Sequence, residues 1–234
     1  MNIVITGASS GIGYATALRF SQDAGNTIFA LARNMKKLDK LVEEASVAGY
    51  AGKIIPHVFD IAASDPFSLD VFFMKTPHID ILINNAGLLI HKPFTDLTEE
   101  DWLKMFQVNL MGHIKVIRKT APYMGKNSRG HIINISSMGG IQGSVKFKGM
   151  SAYSAFKGAL ANLTESLAVE FEEKNISVNC LAPGSVDTEM FRATFPEYKA
   201  AITPDELSEF IVDFCLKGHL FFNGKILPMA TSTP

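Results

Sequence analysis

The sequence predicts an α/β fold, a single doubly wound domain in which a parallel sheet of about seven strands carries helices on both faces. Three observations lead there. The chain opens with a short β-branched run, Asn2–Thr6, that ends in Gly7-Ala8-Ser9-Ser10-Gly11-Ile12-Gly13 and passes into helical spacing over Tyr14–Ala24. Strand-like runs and helical stretches then alternate four times, a pattern that calls for parallel strands joined by crossover helices. No repeat, low-complexity segment or linker divides residues 1–234.

Taken in order, Thr27–Ala32 is the second strand, Met35–Ala48 a helix, and Ile54–Phe59 the third strand, running into Asp60 and Ile61. A helix is expected over Pro66–Met74, followed by a fourth strand, Ile79–Ile83, that stops at Asn84-Asn85-Ala86-Gly87. Thr98-Glu99-Glu100-Asp101 reads as a capped helix start, with Trp102, Met105, Phe106, Asn109 and Leu110 at helical intervals and Trp102 in the core. This helix ends at Pro122-Tyr123-Met124-Gly125. The fifth strand, His131–Ile135, leads to Ser136-Ser137, and Ser151–Glu170 is a long helix with small residues at Ala152, Ala155, Gly158, Ala159 and Ala161. Ser177–Leu181 is the sixth strand, followed by Pro183-Gly184-Ser185-Val186-Asp187-Thr188. Residues 189–202 lack clear periodicity and read as a substrate lid or as a surface connection. A last helix starts at Thr203 and runs to Leu216, and Gly224–Leu227 is the seventh strand.

Composition narrows the partners. With 47% apolar and 19% charged residues, the 234-residue chain has enough apolar content for one large core. A net charge of −1 gives no basic footprint for nucleic acid. No apolar run approaches the roughly 20 residues of a membrane-spanning helix. The first residues lack the pattern of a secretory signal. Cys180 and Cys215 sit in apolar surroundings as buried thiols, which fits a reducing cytoplasm. None of the six histidines has a His or Cys neighbour at metal-ligand spacing, so no metal is expected.

Chemistry concentrates at strand ends and on one helix. A glycine turn between strand and helix lets a ligand approach the backbone, and the helix N-terminus offers unpaired N–H groups to a phosphate. Its spacing differs from G-x-G-x-x-G, with three residues between Gly7 and Gly11 and one between Gly11 and Gly13. At the end of the second strand, where a site for NAD would place an acid, the chain reads Ala32-Arg33-Asn34. An arginine without the acid suits a 2′-phosphate, hence NADP(H) in preference to NAD(H). Asp60 and Asn84–Gly87 lie where the carboxyl ends of strands face a ligand. Tyr153 and Lys157, one helical turn apart, share a face on which the ammonium favours the phenolate. Asn109 lies near its helix's apolar stripe, where its side chain must bond either to backbone or to an active-site water.

In order and spacing, Thr6-Gly7-x-x-x-Gly11-x-Gly13, Asp60, Asn84-Asn85-Ala86-Gly87, Asn109, Ser137, Tyr153-x-x-x-Lys157, Pro183-Gly184 and Thr188 resemble the classical short-chain dehydrogenase/reductase family through nearly the whole chain. The resemblance implies a Rossmann-type fold and an active set of Ser137, Tyr153 and Lys157 assisted by Asn109. It implies that the turn from Gly7 through Ser9, Ser10, Gly11, Ile12 and Gly13 holds a pyrophosphate. It places Asp60 and Ile61 at the adenine and Asn85, Ala86 and Gly87 beside its ribose. Lys157 and Tyr153 would meet the nicotinamide ribose, and Pro183, Gly184, Val186 and Thr188 the nicotinamide side. Ser137, the second of the adjacent pair, is the family's serine, and Ser136 would point to the other side of the strand.

Two departures stand out. Fifteen residues separate Ser137 from Tyr153, a few more than the family pattern, so this loop, with Lys146, Phe147, Lys148 and Met150, is expected to border the substrate pocket. The C-terminal part is short, leaving an entrance that is open or completed by another subunit.

The expected reaction is reduction of a carbonyl to a secondary alcohol, or its reverse. Tyr153 acts as general acid or base, Ser137 bonds the substrate oxygen, Lys157 lowers the tyrosine pKa, and Asn109 holds a relay water. Met150, Met190, Phe191 and Phe195 lean toward an apolar or moderately sized carbonyl. The resemblance also implies a homodimer or homotetramer through the helices at 102–124 and 151–174. Two alternatives stay open: an NAD-dependent alcohol dehydrogenase of the same fold, and a catalytically silent dinucleotide-binding protein.

Overall fold

The computed structural model describes residues 1–63, 69, 76–200 and 202–230. Seven strands form one sheet: β1 (Asn2–Thr6), β2 (Thr27–Ala32), β3 (Lys53–Val58), β4 (Ile81–Asn84), β5 (Gly130–Ile135), β6 (Ile176–Pro183) and β7 (Ile226–Met229). Their order is β3-β2-β1-β4-β5-β6-β7, and every pairing is parallel. The order reverses between β1 and β4, which opens a crevice beyond their carboxyl ends.

Alternation along the strands builds two cores. In β1, Ile3 and Ile5 face one side with Leu38 and Leu41 of helix α2 (Met35–Val47) and Ile211 and Phe214 of the C-terminal helix. Val4 faces the other, with Leu82, Ile132, Val116 and Phe171. Nearly every β1, β4, β5 and β6 side chain is buried, as expected of a parallel sheet covered on both faces.

Element ends differ from the sequence reading in ways that have local causes. Helix α1 spans Gly11–Phe20, starting directly from the glycine turn rather than at Tyr14. It stops before Ala24 because Asp23 turns back to accept the Gly25 N–H at 2.8 Å. Strand β4 begins at Ile81, since Ile79 N–H bonds the Tyr123 carbonyl instead of a strand. The helix expected over Pro66–Met74 lies outside the described residues except for Leu69, which is helical and buried.

The helix opened by Thr98 is broken in the middle. Thr98 and Asp101 form a reciprocal capping box for α3 (Glu99–Phe106), a π-turn occupies Gln107–Met111, and α4 (Gly112–Thr120) follows. The Asn109 amide donates to the Met105 carbonyl at 3.0 Å, the acceptor that its backbone N–H would use in a regular α-helix. Trp102 is half-buried, not core, and packs edge-on against Phe94 and Phe156. Helix α5 is Ser151–Glu170, α6 is Glu189–Thr194, and α7 is Pro204–Lys217, capped by Thr203 and Glu206.

Candidate active site

A cavity of about 970 Å³ opens at the carboxyl ends of the strands, above the β1/β4 crevice. At its base Thr6 accepts the N–H groups of Asn85 (3.0 Å) and Ala86 (3.1 Å), and Asn85 Nδ2 donates to the carbonyls of Thr6 (3.0 Å) and Gly7 (3.3 Å). These bonds knit the ends of β1 and β4 together. They commit the Asn85 side chain to backbone and leave the 85–87 main chain as cavity wall.

The glycine turn requires its glycines. Gly7 and Gly11 have φ of +70° and +56°. A Cβ on Gly13 would lie 2.4 Å from Asn85 Nδ2 and 2.5 Å from the Gly7 carbonyl oxygen. Ser10 occupies the N-cap of α1 without a side-chain capping bond, and the first turn carries no acidic residue, so the helix N-terminus is left to an anion. Arg33, exposed at the end of β2, lines the same cavity, and among the described residues none bonds its side chain. Asp60 accepts the Ala62 N–H at 3.0 Å, and Ile61 is buried beside it. Across the mouth, Lys37 and Glu189 form an exposed ion pair at 2.8 Å. The donors and the shape fit a nicotinamide dinucleotide.

The opposite end of the cavity gathers the polar chemistry. Helix α5 presents Tyr153 and Lys157 on one face, with the ammonium 5.8 Å from the phenol ring centroid. The Tyr153 phenol faces Ser137, whose extended backbone follows β5 and whose oxygen accepts the Gly139 N–H at 3.2 Å. Ser136 points the other way and donates to the Lys157 backbone carbonyl at 2.8 Å. Lys157, 2% exposed, donates to the Ile135 carbonyl at 2.7 Å.

Burial governs the titration of this cluster. It pushes the Tyr153 phenol up to about 12, with the Ser137 hydrogen bond opposing. It lowers Lys157 to about 8, partly opposed by the nearby Cys180 thiol. Within the chain itself, desolvation of the phenolate is the larger influence on Tyr153.

Of the residues assigned in the sequence to catalysis or to the cofactor, all but Gly13 and Asn109 line the cavity, while Asn84 is buried beneath it. Gly13 lies beneath it, against Gly7 and Asn85. Asn109 is fully buried behind it: its Oδ1 accepts the Leu88 N–H at 3.0 Å, and its Nδ2 donates to the Leu88 carbonyl at 2.8 Å as well as to Met105. Of the two uses weighed for that side chain, the structure shows the backbone clamp.

The family model described as short chain dehydrogenase matches residues 1–199. The chain is 39% identical over 189 residues to a 3-oxoacyl-(acyl-carrier-protein) reductase of Thermotoga maritima, covering 80% of this chain and 74% of that one. It is 37% identical over 193 residues to dehydrogenase/reductase SDR family member 11 of Gallus gallus, covering 79% and 74%. It belongs to the short-chain dehydrogenase/reductase family. A short chain dehydrogenase from Burkholderia cenocepacia, solved in complex with NADP, superposes with a TM-score of 0.85 at 26% identity, covering 99% of this chain and 96% of that one. The L-sorbose reductase of Gluconobacter frateurii, complexed with NADPH and L-sorbose, shares the fold with a TM-score of 0.86 at 24% identity, covering 99% and 95%.

As a short-chain dehydrogenase/reductase, the protein is an oxidoreductase acting on CH–OH or C=O groups with a nicotinamide dinucleotide. No helix among the described residues is long and apolar enough to cross a membrane. The same residues contain no cluster of His, Cys, Asp or Glu that could hold a metal ion. Both cysteines are free and buried.

Several wall residues carried no mark in the sequence. Leu88 and Leu89 continue the wall beyond Gly87, and Val145 joins the already noted Phe147 and Met150, so the lengthened loop does border the pocket. Lys146 of that loop turns away from any ligand and donates to the carbonyls of Gly139 (2.7 Å) and Ile141 (2.6 Å). Of the segment that showed no clear period, Glu189–Thr194 is helix α6. Thr188 caps α6, accepting the Phe191 N–H at 3.1 Å, and the segment returns to its origin through a parallel bridge between Val186 and Ile202.

Proposed function

We propose that the protein reduces a carbonyl to a secondary alcohol with NADPH, and runs the reverse reaction with NADP, using Tyr153 as general acid and base. The observation that carries this is the convergence of the Ser137 and Tyr153 hydroxyls, with Lys157 on the same helix face, at the wall of the cavity that the glycine turn also lines. When bound, the cofactor supplies or accepts the hydride, and its oxidised form adds a positive charge near the phenol.

The chain's own residues do the rest. Gly7, Ser9, Ser10, Gly11 and Ile12 with the α1 N-terminus take the pyrophosphate, and Gly13 lets that turn close. Arg33 takes the 2′-phosphate, which makes NADP(H) the preferred form over NAD(H). Asp60 and Ile61 flank the adenine; Pro183, Gly184, Val186 and Thr188 flank the nicotinamide. With its pKa near 12, Tyr153 holds its proton at neutral pH and is ready to give it to the developing alkoxide, while Ser137 hydrogen-bonds the same oxygen. Alcohol oxidation needs the phenolate, and the charges of Lys157 and the oxidised cofactor favour it. Asn109 acts as a positioning residue that fixes Leu88 and hence the wall beside Gly87.

Two free buried thiols suit a reducing cytoplasm. A homodimer or homotetramer through α3, α4 and α5 belongs to the same reading, since Leu103 and Val169 are exposed there, and sedimentation velocity tests it.

Tyr153→Phe tests the central claim. Turnover should fall by roughly 10²–10⁴ while NADPH binding stays within a few-fold. Wild-type turnover by that variant would overturn the assignment.

A further inference from the structure

We propose that the substrate is a ketone with apolar, uncharged flanking groups, and that Phe195 is the residue that selects it. This deepens the reductase reading and rests on it.

Phe195 ends α6, its N–H bonded to the Phe191 carbonyl at 2.8 Å and its own carbonyl accepting from Tyr198 at 3.1 Å. Its ring meets four others: His91 at 5.5 Å, Phe191 at 5.6 Å, Tyr198 at 6.1 Å and Phe147 at 6.2 Å between centroids. These rings come from three separate stretches: the segment after β4, the 138–152 loop and the 189–202 segment. Phe195 therefore clasps together the walls that surround the substrate end of the cavity. Because the segment is pinned at Val186 and Ile202, where Asp187 N–H bonds the Ile202 carbonyl at 2.9 Å, the clasp has a fixed base.

Several polar side chains around this clasp are already bonded within the protein. The Ser144 hydroxyl shares its one proton between the carbonyls of Met138 (2.5 Å) and Ile141 (2.8 Å) and accepts from Lys146 at 3.0 Å. The His91 ring bonds the Lys148 carbonyl at 3.0 Å, and the Asn109 amide is engaged with Leu88 and Met105. Glu206 accepts from Thr203, and Glu189 from Lys37. Lys199 stands exposed at the rim. Ser137 and Tyr153 are the pair placed to meet a substrate oxygen. A polyhydroxylated ketone would bury hydroxyls without partners, each costing roughly tenfold or more in binding. Apolar flanks instead meet Met150, Val145, Phe147 and Phe195.

The test uses propiophenone and D-fructose as probes. Calorimetric titration into the Tyr153→Phe protein loaded with NADPH reads binding without turnover, and NADPH absorbance reads wild-type kcat/KM. The expected result is binding of propiophenone and not of fructose, with kcat/KM favouring propiophenone by roughly a thousandfold. Phe195→Ala should raise KM for propiophenone about tenfold with kcat nearly unchanged, and Phe195→Leu should recover most of the loss. The dissociation constant for NADPH should not move in either variant. Equal or better use of fructose, no binding of propiophenone, or an unchanged KM in Phe195→Ala would each overturn the inference. Propiophenone that binds but is not reduced by the wild type would leave the substrate class standing and sink the reductase reading instead.

Discussion

The Ser136 hydroxyl is tied to the Lys157 backbone carbonyl at 2.8 Å, while its neighbour Ser137 reaches Tyr153 from the other side of the strand end. Two adjacent serines thus hold the two members of the α5 pair, one by its main chain and one by its side chain. Ser136→Ala removes a buried hydrogen bond and should lower stability by about 1 kcal/mol, leaving the affinity for NADPH in place. Ser137→Ala should leave the melting temperature within a degree or two and reduce kcat by roughly 10²–10³. Thermal unfolding and steady-state kinetics on the two variants separate these outcomes, and a swap of the two phenotypes would show that the serines are assigned the wrong way round.

Arg33 stands at the end of β2 with no described partner, on the wall of the cavity. A charge-assisted hydrogen bond to a 2′-phosphate is worth roughly 1.5–3 kcal/mol, so Arg33→Ala should weaken NADPH binding by about ten- to a hundredfold. NADH, which lacks that phosphate, should bind the variant as it binds the wild type. Fluorescence titration of both cofactors checks the pair of expectations. An unchanged preference would remove Arg33 from the site and transfer the question to Lys37, whose ammonium now faces Glu189.

Gly13 is the tightest point of the glycine turn. Its missing Cβ would sit 2.5 Å from a backbone oxygen, Gly7 O, which cannot rotate away. Gly13→Ala should therefore push the turn open, destabilise the fold by about 1–3 kcal/mol and raise the dissociation constant for NADPH at least tenfold. Chemical denaturation and cofactor titration measure both effects. A variant that folds and binds as the wild type does would mean that the turn is more plastic than its contacts imply.

The sheet and the site were legible in the sequence to different depths. Strands with both faces buried read as continuous apolar runs, and so β1, β2 and β5 fell within a residue of their observed ends. The turn after β1 and the Tyr153–Lys157 face were legible because glycine and helical spacing constrain local geometry. The π-turn at Gln107–Met111 was not, since it depends on an Asn109 side chain bonding to Leu88, a residue 21 positions away. Nor was the direction of the Tyr153 shift, which is set by how completely neighbours from other segments exclude water. The sequence offered Phe147, Phe191 and Phe195 singly, but not their meeting with His91, which joins stretches far apart in the chain.

The buried histidines set an acid limit. His131, 1% exposed in β5, is satisfied as one neutral tautomer: Nδ1 donates to the Cys215 carbonyl at 3.0 Å, and Nε2 faces the Asn179 amide nitrogen at 3.0 Å. Protonating Nε2 would set two donors against each other, with His219 and Arg129 adding positive charge nearby. Burial first, then those charges, hold its pKa down at about 4, and burial with the Lys157 charge holds the enclosed His113 at about 3. An unfolded histidine titrates near 6.5, so between about pH 6.5 and 4 the unfolded chain binds more protons than the folded one. The sign is therefore loss of stability as pH falls through that window, at up to about 1.4 kcal/mol per pH unit for each such histidine. Full stability from these groups is present above pH 6.5. Urea denaturation at pH 7 and pH 5 should show the drop, and His131→Gln should shrink the difference between the two pH values by up to about 2 kcal/mol, whatever it does to stability at pH 7. An identical pH dependence in the variant would mean that His131 is protonated in the folded protein and that the Asn179 contact rearranges to accept it.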